Sequence, residues 1–372
     1  MRIGLITTLN TNIGDDLIRE GVVKVLKEVI KNEISFVFIN KHRPATVYPP
    51  YHPVRWTDIL PRCRISVGRL VGRLFYRFGH SYFDNCELIV QCGSPVLWPN
   101  CHRAEWVDIL WHQVVGRLYT RIPVLNLGAG SSYPWEQQPT DIDDPEDAKY
   151  LKAILNYCKL TTVRDILAQQ LCSSLGVQVP LIPCPAFLAA KDLEIKERNG
   201  TDIIIINFMP KGGHWTYEQK ISPSEWHVKV KALISRLKRY YKLVFLCHGR
   251  SEYEAAYELD PTIPRLWPKN VQEYFKYFNH FKVKAALCNR IHASVALAGL
   301  GIPSIAVGAD TRLLTVHALG LPCIYVKEAN VSLLEDTLNN LINHHRHEKE
   351  RLLALRSDVW NRYIQVVSET IF

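Results

Sequence analysis

Apolar residues in this chain gather in short continuous runs, separated by polar, glycine-bearing loops and by longer stretches with helical spacing. Residues 2–7, RIGLIT, form one such run. Residues 8–16, TLNTNIGDD, are loop-like, and Leu17, Ile18, Val22, Val25, Leu26 and Val29 then recur on one helical face. Further strand-like runs are SFVFI (35–39), ELIVQC (87–92), PVLNLG (123–128), TTV (161–163) and DIIIINF (202–208). KLVFLC (242–247), AALC (285–288), SIAVG (304–308) and CIYV (323–326) complete the series. Runs that are apolar throughout, rather than alternating, suit parallel strands covered on both faces by helices. The expected fold class is therefore α/β, with two sheets facing a cleft.

A charged stretch without apolar periodicity near residues 191–201 divides the chain. The expected domains are 1–195 and 196–345, followed by an amphipathic C-terminal helix over 346–372 that closes the structure. A length of 372 residues is too great for one ordinary core and suits two. Apolar residues at 47% and charged residues at 22% are ordinary for a globular protein.

Charge narrows the partners only partly. Lys and Arg number 45 against 36 Asp and Glu, giving a net charge of +9. That surplus favours an anion: a phosphorylated small molecule, an acidic glycan, a membrane surface or nucleic acid. No nucleic-acid-binding motif accompanies it, so nucleic acid is not an expected partner. The ten cysteines are irregularly spaced and include no CxxC pair, as in reduced thiols of a cytosolic protein. Cys86, Cys92 and Cys101, followed by His102, match no common zinc spacing, so no metal is expected. The first ten residues read as a strand rather than a signal peptide. The longest apolar stretch, 293–309, is broken by Gly299, Gly301 and Pro303, short of a membrane span. A cytoplasmic protein is expected.

In open parallel sheets, ligands bind outside the carboxyl ends of strands, so the residues just after each run deserve reading for chemistry. Asn12, Gly14, Asp15 and Asp16 follow the first strand and open a helix, whose free N–H groups favour anions. One of the aspartates capping that helix is the plainer alternative. Gly93 and Ser94 follow the 87–92 run, and Gly128 and Gly130 lie in NLGAGSSYPW, a loop expected to open at the end of the 123–128 run. Such glycines permit close backbone approach, or serve only as turn devices. Arg164 and Asp165 stand between a strand and a helix. Asp165 suits the first turn, and Arg164 is free to pair with it, with a nearby carboxylate or with a ligand. His248 follows the 242–247 run, and Asp310 and Arg312 follow 304–308. Arg290 and His292 head the small-residue segment ASVALAGLG. Arginine there offers a fork for phosphate or carboxylate, and histidine an anion contact or a mobile proton. A helix-capping Arg and a core His are the alternative. Cations and imidazoles after strands in both halves describe a cleft for a doubly charged anion.

Taken together, these segments resemble the polysaccharide pyruvyl transferase family. NTNIGDDLI is similar to its N-x-GD opening, TTVRDILAQQLCSSLGV to its strand–RD–helix–LG segment, and NRIHASVALAGLGIPSIAVGADTR to its R-[LI]-HA…G-[VI]-P block. The resemblance implies two Rossmann-like domains in a glycosyltransferase-B-like arrangement and phosphoenolpyruvate as donor. The implied acceptor is a sugar of a cell-surface glycan or its lipid-linked precursor. It implies that Arg164, Arg290 and His292, with Arg312, bind the donor's phosphate or carboxylate, and that His292 and Asp15 are acid/base candidates. The chain departs from the family pattern at CGSP, in place of a Gly-rich loop, at Cys184-Pro185, in place of Asp-Pro, and at Arg312, in place of Lys.

Ketal formation requires a proton delivered to the donor's methylene carbon and sugar hydroxyls attacking as phosphate leaves. No metal or other cofactor is needed. Arg69, Arg73 and Arg77, spaced four apart in 64–80, fit a basic helix lying on an anionic membrane, or a solvated face over an ordinary core. A nucleotide-sugar glycosyltransferase and a non-catalytic anion-binding relative are the competing readings. Arg290→Ala is expected to abolish donor binding without unfolding the protein.

Overall fold

The computed structural model describes residues 1–9, 12–55, 74–75, 79–93, 95–193, 202–213, 217, 219–278 and 281–372. Ser94, the three arginines of the 64–80 stretch and most of the 191–201 boundary lie outside them. Among the described residues the strands form two sheets. The first contains β1 (Arg2–Thr7), β2 (Ser35–Asn40), β3 (Leu88–Cys92), β4 (Pro95–Leu97), β5 (Val124–Ser131) and β6 (Leu160–Val163). It runs β2-β1-β3-β5, with β4 and β6 both paired to β5, and every pairing is parallel. The second contains β7 (Asp202–Asn207), β8 (Lys242–Leu246), β9 (Arg265–Leu266), β10 (Lys282–Cys288), β11 (Ser304–Gly308) and β12 (Cys323–Tyr325). Its order, β12-β11-β10-β7-β8-β9, is also parallel throughout. Strand order reverses between β1 and β3 in one sheet and between β7 and β10 in the other. Those are the crevices where doubly wound sheets take ligands.

The nine internal runs and the first strand all fall on observed strands, with small shifts at their ends. β4 and β9 were not expected: three and two residues carry no periodicity of their own. Two loop assignments need correction. β5 continues to Ser131, so Gly128 and Gly130 lie inside a strand, beside a register shift between Asn126 and Ala129. The first helix begins at Ile13, and Gly14, Asp15 and Asp16 form its opening turn. Its cap is Asn12 rather than either aspartate: the Asn12 side chain accepts from the Gly14 N–H at 3.0 Å.

Why the two sheets hold together is visible in the core. Ile3, Leu5, Leu17, Val22 and Leu125 from the first half share one buried cluster with Ile203, Leu246, Ala293 and Leu297 from the second. The helix His345–Ile371 crosses between them, burying Leu352, Val359, Tyr363 and Val367 at helical spacing. Its polar residues tie both sides: Arg356 donates to the carbonyls of Gly299 (2.6 Å) and Ala190 (3.1 Å). Arg362 reaches the Leu181 carbonyl at 2.6 Å and the Tyr363 hydroxyl the Pro183 carbonyl at 3.2 Å. Each large apolar side chain buried this way contributes roughly 1.5–3 kcal/mol. No helix among the described residues is long and apolar enough to cross a membrane.

Candidate functional site

The strand ends of the two sheets converge on one cluster of charge. Arg164 follows β6 and is completely buried. Its Nη1 lies 3.3 Å from His292 Nε2 and 3.9 Å from Cys184 Sγ, while Nε and Nη2 have no hydrogen-bond partner. Asp165 does not neutralise it through a hydrogen bond. That carboxylate caps the helix Ile166–Ser174, accepting from Ala168 N at 2.8 Å, and also accepts from Ser131 N (2.9 Å) and Ser131 Oγ (2.8 Å). Burial pushes the Asp165 carboxyl up, and these bonds only partly offset it. Arg164 is thus a fully desolvated cation with donors to spare. An isolated buried charge is costly unless a counter-charge meets it.

His292 stands in the first turn of the helix Ile291–Gly299, with Arg290 at its N-cap and no side chain capping it. Against it comes the first turn of the Ile13–Val29 helix: a Cβ on Gly14 would sit 2.6 Å from His292 Nδ1. Gly130 makes the matching allowance for the guanidinium, since a Cβ there would come within 2.4 Å of Arg164 Nε. Two helix N-termini, each carrying a partial positive charge, therefore face one another beside a buried arginine. The burial of His292, then the charges of Arg164, Arg312, His248 and Arg290, hold its imidazole well below the usual range. It is neutral near pH 7.

Lys41, which the sequence analysis passed over, completes the cluster. It follows β2 directly and is 8% exposed. Burial lowers its ammonium; Asp15 opposes that shift and Arg164 adds to it, which places Lys41 in the electrostatic reach of both. The signal in the sequence was its position, a cation after a strand, the rule already applied to Arg164 and His248. Asp15 is half-buried, and its carboxylate makes no hydrogen bond or ion pair among the described residues; Asp16 instead pairs with Arg19 at 2.6 Å. Cys184 is buried, and burial pushes its thiol up.

The remaining candidates also lie after strands, and the two arginines among them are already engaged. Arg290 donates through Nε to Glu252 Oε1 at 2.7 Å, and its Nη2 lies 2.6 Å from the same oxygen. The other Glu252 oxygen accepts from His248 N at 2.9 Å and Asn207 Nδ2 at 3.0 Å. Arg312 forms a bidentate pair with Asp310, at 2.8 and 2.5 Å. His248 is buried against the Tyr274 ring, with neither ring nitrogen hydrogen-bonded, and burial followed by Arg290 holds it down to about 3. Gly93 is buried after β3. A strap closes one side of the crevice: Ser131 Oγ meets Thr311 Oγ1 at 2.9 Å, Thr311 N donates to the Tyr133 carbonyl and Trp135 N to that of Ala309.

The cysteines Cys86, Cys92 and Cys101 are free thiols buried in the fold. His102 groups instead with Asp144 and Asp147. There the Asp147 oxygens accept from Asn100 N, His102 N and the His102 ring, and Asp144 caps a helix, so these carboxylates are spent within the protein.

No curated protein matches the chain in sequence. Solved structures similar to it include MnaA of S. aureus with UDP (15% identity, 95% of this chain and 91% of that one, TM-score 0.54). UDP-GlcNAc 2-epimerase from Neisseria meningitidis aligns over 100% of this chain and 99% of its own at 12% identity, TM-score 0.53. Sucrose-phosphate synthase from Thermosynechococcus elongatus aligns over 99% and 98% at 12% identity, TM-score 0.54. These likenesses establish the glycosyltransferase-B-like fold: two Rossmann-like sheets about a cleft. The sequence itself matches polysaccharide pyruvyl transferase over residues 12–311, from the Asn12 cap to Thr311 of the strap. That span takes in the Gly14–His292 approach, Arg164 and Arg290, and the chain belongs to the polysaccharide pyruvyl transferase family.

Proposed function

We propose that the protein transfers pyruvate from phosphoenolpyruvate to two hydroxyls of one sugar, forming a ketal on a glycan or its lipid-linked precursor. The observation that carries this reading is Arg164: fully buried, with two unpartnered guanidinium nitrogens, beside His292 and two facing helix N-termini. Such a place suits a small ligand with more than one negative charge, and phosphoenolpyruvate carries a phosphate and a carboxylate. Arg164 and Lys41 bind these groups, while Arg290 and Arg312 are tied to Glu252 and Asp310. In the reaction, the methylene carbon gains a proton to become the methyl group. The C–O bond to phosphate breaks, two sugar oxygens bond to the ketal carbon, and their two protons leave. One proton balances the methyl group and one the departing phosphate. We assign their movement to Asp15 and His292. No metal or cofactor enters this scheme. We assign the reaction to the cytoplasm, where the net charge of +9 suits an acidic glycan or a lipid-linked acceptor at the inner membrane face.

Thermal melting with phosphoenolpyruvate, and separately with UDP, GDP and CMP, tests the donor. A ligand that binds only the native state at a hundred times its Kd adds about 2.7 kcal/mol of stability. Phosphoenolpyruvate is expected to raise the melting temperature and the nucleotides to leave it unchanged. A shift with a nucleotide alone overturns the reading in favour of a nucleotide-sugar transferase. Binding of phosphoenolpyruvate without phosphate release, across sugar acceptors, would favour a non-catalytic relative.

A further inference from the structure

Lys41 has a second side. Its Nζ lies 5.0 Å from the centre of the Trp106 ring, so the residue in electrostatic reach of Arg164 and Asp15 also borders an aromatic group. Trp106 is tilted against Trp98 at a centroid distance of 5.6 Å and 58°. Trp98 directly follows β4, whose Leu97 carbonyl accepts from Ser132 N in the strap. Both indoles pack against the core of the first half and are half-buried. His42 meets the Trp106 ring edge-on at 5.4 Å, and its Nδ1 lies 2.6 Å from Glu105 Oε1; both residues are exposed. Two tilted indoles, an imidazole–carboxylate pair and a lysine thus gather at the carboxyl ends of β2 and β4.

This composition is selective. A half-buried, tilted indole pair offers apolar surface to a ligand that is itself apolar on one face, and the rim offers donors and acceptors to a ligand rich in hydroxyls. A pyranose ring has both properties: C–H groups on its face and hydroxyls around its edge. A planar anion fits poorly, because Glu105 faces the rim. An extended apolar peptide would leave the His42–Glu105 pair uncompensated. Lys41 links the two regions: its Nζ borders the Trp106 ring, and its ammonium is in electrostatic reach of Arg164 and Asp15. We infer that Trp98, Trp106, His42 and Glu105 form the subsite for the acceptor sugar, the pyranose face stacking on the indoles and its hydroxyls reaching past Lys41 to the donor. This assignment rests on the pyruvyl-transfer reading above.

Saturation-transfer NMR on the full chain, with methyl β-D-galactopyranoside and methyl N-acetyl-β-D-glucosaminide as probes, tests it. Wild type is expected to transfer saturation to the ring C–H protons of at least one probe. Trp98→Ala and Trp106→Ala should each weaken that binding tenfold or more, while retaining the melting shift caused by phosphoenolpyruvate. Absence of transfer to both probes in wild type, or undiminished transfer in both variants, overturns the subsite. If Trp106→Ala does not fold, Trp98→Ala decides alone. The melting shift of wild type with phosphoenolpyruvate judges the donor reading separately: its loss beside intact, tryptophan-dependent sugar binding fails the donor and keeps the subsite.

Discussion

Arg164 and Arg290 occupy comparable places in the two halves of the molecule, between a parallel strand and a helix: Arg164 directly follows β6 and precedes the N-cap, and Arg290 lies one residue beyond β10 and is itself the N-cap. Their surroundings are opposite. Arg290 meets a buried carboxylate, Glu252, delivered by the helix Arg250–Leu259, and that carboxylate is satisfied in turn by His248 N and Asn207. Arg164 has a carboxylate beside it in sequence, but Asp165 turns away to cap its own helix and hold Ser131. One arginine is balanced within the fold. The other has no carboxylate hydrogen-bonded to its guanidinium. A cation after a strand is thus tethered within the fold or not according to what an element distant in sequence brings to it.

Breaking the balanced side should have the largest effect. Arg290→Met strips the guanidinium from Glu252, which is 2% exposed, and removing one partner of a buried pair costs about 3–5 kcal/mol. Denaturant unfolding should show that loss, so the variant's loss of donor binding cannot be read apart from its fold. This modifies the expectation drawn from sequence, that Arg290→Ala spares the fold. Adding Glu252→Gln should recover much of the stability; no recovery would mean that the pair is not what holds this crevice. Arg164→Met is the converse case. It removes a buried cation without a carboxylate hydrogen-bonded to it, so melting temperature should hold or rise, while affinity for phosphoenolpyruvate falls about a hundredfold, near 3 kcal/mol. Calorimetric titration checks it, and unchanged affinity would remove Arg164 from the site.

That difference also marks what was legible before the structure. The strands of both sheets could be read because a parallel strand covered on both faces is apolar along its whole length, as in IIII at 203–206. Positions at strand ends followed, since topology alone sends Arg164, His248 and Arg290 to one crevice. Charge pairing could not be read. Glu252 lies 38 residues before Arg290 and has no motif around it. Lys41 was hidden for a different reason: it follows a strand at the sheet edge, and only the fold shows that it is buried beside Trp106 and within reach of Arg164. Gly128 and Gly130 read as loop because a strand that continues through two glycines past a register shift has no alternation to reveal it.

His248 sharpens the comparison on the balanced side. It is buried near Arg290 with both ring nitrogens unpartnered, held down to about 3, whereas in the unfolded chain it titrates near its ordinary 6.5. The unfolded state therefore binds the proton first as pH falls. Stability present above pH 6.5 should decline between 6.5 and 3. His248→Leu should flatten that decline and cost little at pH 7.5, because no hydrogen bond of the ring is lost. Denaturant midpoints at pH 7.5, 5.5 and 4 compare the two proteins. Equal acid sensitivity would place the titration elsewhere.

The smallest effect concerns His292, which touches the unbalanced side directly through Arg164. Burial and the neighbouring guanidinium groups of Arg164, Arg312 and Arg290 hold its imidazole well below 6.5, so it enters binding neutral. An anion on Arg164 offsets those cations and raises the imidazole toward protonation. Binding should then draw a fraction of a proton from solution, and affinity should weaken modestly as pH rises. Working at pH 7.5, above the second ionisation of the phosphate at about 6, keeps the ligand's own protons out of the balance. Calorimetry in buffers of different ionisation enthalpy reads the uptake. His292→Asn should abolish it while lowering affinity only a few-fold, because Arg164 and Lys41 remain. Uptake that persists in the variant would assign the proton to another group in the cluster. No uptake in wild type would mean that His292 stays neutral beside the bound anion, leaving Asp15 to deliver the proton to the methylene carbon.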